Sequence, residues 1–246
     1  MTAEHVAHII YKGTIAHGAI FSVWSLWKRR WPLAQKLGVV ELFAWVTVAW
    51  VAHTWAFGRM PLHGLYETAL SLAFIGGLVM LGMSFLHKAP YMAFYPAGIF
   101  ILLLHGNRFE AGGGIFIASP LVCVHLRITY VVFGVTAALG AAALLNLCGN
   151  AVPLRRIFLP AYLSYGVMIL AAGAFRWAAF GASVQLDPVE IIHMAAFALF
   201  SILTAAAAFL CWKGRMAALC GLIGALAVML SYRLVLLFTP ASSYHR

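Results

Sequence analysis

Eight apolar stretches, at roughly 7–27, 38–57, 65–86, 90–105, 119–147, 158–180, 189–212 and 215–238, take up most of this 246-residue chain, and Gly, Pro, charged or polar positions separate them. About 20 consecutive apolar residues cross the hydrocarbon region of a bilayer as one α-helix. In lipid, a helix is favoured because it satisfies its own backbone hydrogen bonds. The spacing predicts an all-α integral membrane protein of about eight transmembrane helices, forming a single polytopic domain over residues 1–246. The composition, 64% hydrophobic and 9% charged, leaves too little charge for a soluble domain, where about 25% is usual.

The formal charge of +10 comes from 16 Lys and Arg against six acids. In a soluble protein such a balance points to nucleic acid, but here the cations sit mostly in short loops, a pattern that reports membrane orientation. One side carries Lys28, Arg29, Arg30, Lys36, Lys88, Arg155, Arg156, Lys213 and Arg215; the other carries Arg59, Arg108 and Arg246. The first set is expected to be cytoplasmic, which places both termini on the outer (periplasmic) side of a bacterial cytoplasmic membrane. Gly58–Gly64, Gly106–Ser119, Gly181–Pro188 and the tail Thr239–Arg246 then face outward. None of these is long enough to bury a core of its own, and no internal repeat is evident. The first apolar run contains Lys12 and His17, lacks a basic leader and a small-residue cleavage site, and does not read as a signal peptide. Cys123, Cys148, Cys211 and Cys220 form no C-x-x-C pair and read as small buried hydrophobes.

Two helix starts stand out. Ser119-Pro120 and Asp187-Pro188-Val189-Glu190 each place a capping side chain before a Pro at the first helical position. His125 follows Pro120 by five residues and His193 follows Pro188 by five, so both imidazoles are expected about 7–8 Å below the helix ends. His53 and His105 close the second and fourth spans near the same face. Neutral imidazoles in such a belt suit axial ligation of haem iron, and polar groups in a membrane are costly enough that several together favour a site. Arg127, Arg176 and Arg233 interrupt apolar spans near helix N-termini, a combination that attracts carboxylates; alternatively they snorkel or pair with Glu67 and Glu190.

The stretch Gly58-Arg59-Met60-Pro61-Leu62-His63-Gly64-Leu65-Tyr66-Glu67-Thr68, together with Val124-His125-Leu126-Arg127, resembles the cytochrome c biogenesis CcsA/ResC family. That family belongs to a haem-handling superfamily with CcmC, CcmF and HemX-like proteins. Gly181, Asp187, Pro188 and Glu190 match its tryptophan-rich signature, while Phe180, Val184 and Leu186 replace tryptophans. His245 lies near the family's second outer histidine but out of register, and Ala205 stands about where the family has a histidine deep in the membrane.

The resemblance implies a b-type haem held non-covalently at the outer face by His125 and His245, with His53, Asp187, Arg127 and Arg176 around it. It also implies delivery of that haem to apocytochrome c alongside a second, CcsB/ResB-like membrane subunit, as part of a cytochrome c synthase. Two other readings stand beside it. One is a cytochrome b type electron carrier using His125 and His193; the other is a HemX-like assembly or regulatory subunit that has lost haem binding. None of the three involves nucleic acid.

Overall fold

The computed structural model describes residues 2–27, 32–61, 64–87, 94–105, 120–149, 152, 154–181, 188–210 and 213–238. Among these, eight α-helices and no strands are present: α1 (Ala3–Trp27), α2 (Pro32–Phe57), α3 (Gly64–His87), α4 (Tyr95–His105), α5 (Pro120–Leu147), α6 (Arg155–Phe180), α7 (Pro188–Phe209) and α8 (Gly214–Phe238). Pro120 and Pro188 stand first in α5 and α7 as their ring geometry favours. α6 stops at Gly181, whose φ of 70° lets its N–H close on the Trp177 carbonyl.

Among the described residues, six helices are long and apolar enough to cross a membrane: α2, α3, α5, α6, α7 and α8. α1 and α4 do not meet that standard. α1 is 25 residues long but carries Glu4, His5, His8, Lys12 and His17, so its apolar run is diluted. α4 has 11 residues, about 16 Å of helix against a hydrocarbon core of about 30 Å. The eight sequence stretches therefore correspond to eight helices, of which six have the dimensions of a span.

The chain divides into two compact units, Met1–Ala118 and Ser119–Arg246. In unit 1, α1 packs on α2 and α4, and α3 packs on α2 and α4. Its centre is built from Tyr11, Leu42, Val46, Tyr66, Leu70 and Leu103, all essentially inaccessible. Tyr11 donates to the Leu103 carbonyl at 2.8 Å, and Tyr95 donates to the Ala73 carbonyl at 3.0 Å. Burying a phenol is thereby made tolerable, because each hydroxyl has an acceptor.

Unit 2 has the same plan. α5 packs on α6 and α8, and α7 packs on α6 and α8, so α5 and α7 stand on one diagonal of a four-helix bundle. Small residues let α5 and α8 approach closely: a Cβ added at Gly140 would meet the Ala225 Cβ at 3.3 Å, the geometry by which apolar helices associate without a hydrophobic driving force. The outward face of α6 presents Leu159, Leu163, Val167, Leu170 and Trp177. A helix apolar on both its packed and its open face belongs in lipid.

Candidate functional site

The start of α5 and the start of α7 bring their histidines together within unit 2. His193 lies within electrostatic reach of His125, although α5 and α7 are not neighbours in the ring of packed helices. His125 Nδ1 is buried and has no hydrogen-bond partner among the described residues. Its ring lies nearly parallel to that of Phe175 on α6, 6.5 Å away and 9° apart. A buried ring nitrogen with no partner costs about 1–3 kcal/mol, which a ligand in the bundle would offset.

His193 is held differently. Its Nδ1 lies 3.2 Å from Ser231 Oγ on α8 and 3.3 Å from the Tyr165 hydroxyl on α6. Tyr165 also donates to the His193 carbonyl at 3.2 Å, and its oxygen is 3.4 Å from Ser231 Oγ. Side chains from α6 and α8 thus hold this imidazole of α7.

The charged residues near the same end are engaged with one another. Arg176, 1% exposed, donates from Nη1 to Glu190 Oε1. Of the two sequence readings of Arg176, an anion site or a pair with Glu190, the pair is present, with the carboxylate in the first turn of α7. Arg127 is exposed and does not line the bundle interior. Asp187 and His245 lie outside the described residues, as do the side chains of Arg233 and His105.

His53 belongs to a second cluster, inside unit 1. It is fully buried on α2, stacked on Phe57 at 4.5 Å and tilted against Tyr66 at 5.3 Å. Its Nε2 is 3.7 Å from Oε1 of Glu67, which is also fully buried. Arg59 grips the same carboxylate with two bonds, Nη1 to Oε2 at 2.8 Å and Nη2 to Oε1 at 2.7 Å, the fork geometry that makes guanidinium–carboxylate pairs strong. Gly58, with φ of 63°, turns the chain so that Arg59 can reach back.

The sequence reading missed Tyr165 and Ser231. Each is a lone hydroxyl in an apolar helix, and only the fold shows that both converge on His193. No group of three or more His, Cys, Asp or Glu that could hold a bare metal ion occurs among the described residues. No protein-family model matches the chain, and no curated protein matches it.

Proposed function

We propose that this chain is a haem-handling membrane protein of the cytochrome c biogenesis type, holding b-type haem between His125 and His193 in unit 2. The observation that carries the reading is the buried His125 Nδ1, which has no hydrogen-bond partner among the described residues, with His193 within electrostatic reach of it. Cofactor sites in helix bundles are built from side chains on facing helices in this way. Were haem bound here, His125 and His193 would be the residues to hold its iron, with Phe175 beside His125 as an apolar wall.

Bound haem supplies a redox-active iron and the vinyl groups that cysteines of an acceptor cytochrome attack. What the chain itself does is hold the two nitrogens at fixed positions and keep water away with the apolar walls of the bundle. The Arg176–Glu190 pair ties the end of α6 to the start of α7, so His193 enters the bundle at a set depth. Apocytochrome c and a CcsB/ResB-like subunit are the proposed partners, with the lipid bilayer of the bacterial inner membrane as the setting. HemX-like loss of haem is the competing reading.

Absorption spectra of the detergent-purified protein, oxidised and dithionite-reduced, test this. A Soret band with sharp reduced bands is expected. His125→Ala and His193→Ala should each turn a six-coordinate low-spin spectrum into a partly high-spin one and weaken retention, while His87→Ala, at the end of α3, leaves both unchanged. Absence of any Soret band from the wild type would favour the HemX-like reading. A change in His125→Ala together with none in His193→Ala would move the second ligand elsewhere, with His245 the next residue to replace.

The proposed orientation has eight crossings and both termini outside. Reporter fusions after Arg30, Lys88, Arg156 and Arg215 are expected to read cytoplasmic, and fusions at Asn107, Ser183 and the C-terminus external. An external signal after Lys88 would remove α1 or α4 from the set of crossings.

A further inference from the structure

The hydroxyls around His193 have one proton each, and the distances to their acceptors bear on where those protons go. Ser231 Oγ lies 2.7 Å from the Val228 carbonyl, the ideal distance for an O–H···O bond. Its proton is committed there. The Tyr165 hydroxyl lies 3.2 Å from the His193 carbonyl, an acceptor that can take a proton but cannot give one. With its proton on the Val228 carbonyl, Ser231 Oγ has only lone pairs to offer Nδ1 at 3.2 Å, and the Tyr165 oxygen stands 3.3 Å from the same nitrogen. Lone pairs facing a lone pair would be repulsive at that separation.

From this we infer that Ser231 and Tyr165 fix His193 as the Nδ1–H tautomer, so that Nε2 is the nitrogen carrying the lone pair and is the metal-binding atom. Ser231 and Tyr165 are thereby positioning residues. Both are buried, at 2% and 0% exposure. A metal-bound histidine donates its other N–H to a neighbouring oxygen, which sets the ring's orientation and strengthens it as a ligand. The same arrangement is present here before any ligand arrives. It also makes the two imidazoles unequal, since His125 Nδ1 has no such acceptor among the described residues. His193 is the anchored ligand and His125 the exchangeable one.

The tautomer is a property of the protein without haem; only its use as a ligand rests on the function proposed above. The test is therefore made first on haem-free protein labelled with ¹⁵N-histidine, with His193→Gln to assign the signals. The expected spectrum has a protonated Nδ1 and a pyridine-like Nε2 for His193. Ser231→Ala combined with Tyr165→Phe removes both acceptors and should release the ring to a mixture of tautomers, while Ser231→Thr, which keeps the hydroxyl, should restore the wild-type pattern. If the double variant does not fold, the wild-type spectrum and the Tyr165→Phe single variant still decide the matter. A protonated Nε2 in the wild type, or an unchanged tautomer in the folded double variant, overturns the inference. In haem-loaded protein the double variant should lose haem at least about 10-fold faster, and His193→Ala faster than His125→Ala. The predicted tautomer in a protein that takes up no haem would sink the functional proposal and leave the positioning role standing.

Discussion

Replacing Arg59 with alanine while Glu67 remains should destabilise unit 1 by about 3–5 kcal/mol, the cost of leaving a buried charge without its partner. Glu67 is fully buried, and Arg59 binds both its oxygens. In the variant, the carboxylate retains its place in the first turn of α3, where the helix N-terminus offsets only about 0.3–1 kcal/mol. His53 Nε2 at 3.7 Å is too far for a strong bond and cannot take over the role of a forked guanidinium. Arg59→Ala combined with Glu67→Gln should recover most of the stability, because the neutral amide removes the uncompensated charge. Denaturant unfolding in detergent, followed by tryptophan fluorescence, gives the measurement. Equal stability of Arg59→Ala and wild type would show that the pair contributes nothing to the fold.

That ion pair also marks where sequence reasoning runs out. Glu67 reads as a partner for Arg127, Arg176 or Arg233, each of which interrupts an apolar span. The structure gives it Arg59, eight residues earlier, because the turn at Gly58 returns the chain on itself. Glu190 does meet Arg176 as one of the two sequence readings allows. A loop arginine near a helix start is invisible to a search for charges within spans, since its reach depends on backbone geometry that no periodicity encodes.

The helices themselves were legible because each is a long apolar run bounded by breakers, and proline fixes where α5 and α7 begin. Counting five residues from each proline places His125 and His193 at one depth, and that count needs no tertiary information. Whether they face one another depends on which helices are neighbours, and the apolar residues of α5 and α7 are too uniform to say. The arrangement common to both units escapes the sequence for the same reason. Each unit has a Trp on its second helix (Trp55, Trp177), a positive-φ glycine just after that helix (Gly58, Gly181) and an acid in the first turn of its third (Glu67, Glu190). These markers are too sparse among interchangeable apolar residues to register as a repeat.

Gly224→Ala should cost unit 2 about 1–3 kcal/mol by overpacking, although alanine is ordinarily the better helix former. A Cβ at this position would sit 2.7 Å from Phe200 Cδ2 and 2.9 Å from its Cε2. Phe200 cannot swing aside: it is fully buried on α7, with the Phe158 ring centroid at 5.7 Å and that of Tyr162 at 6.1 Å. Either α7 and α8 separate or the ring leaves its rotamer, and both disturb the contact that carries Ser231 toward His193. Gly221, one turn earlier on α8, provides the contrast. Its added Cβ would meet Leu139, Phe158 and Ala143 at 3.4–3.6 Å, which is ordinary contact, so Gly221→Ala should be neutral or stabilising by up to about 1 kcal/mol. Trimming the obstacle supplies the internal check, because Gly224→Ala with Phe200→Leu should be less destabilised than the two single changes added together. Additive losses, or a neutral Gly224→Ala, would mean that α7 and α8 are not packed through this glycine. The depth at which His193 is held would then be set by the Arg176–Glu190 pair alone.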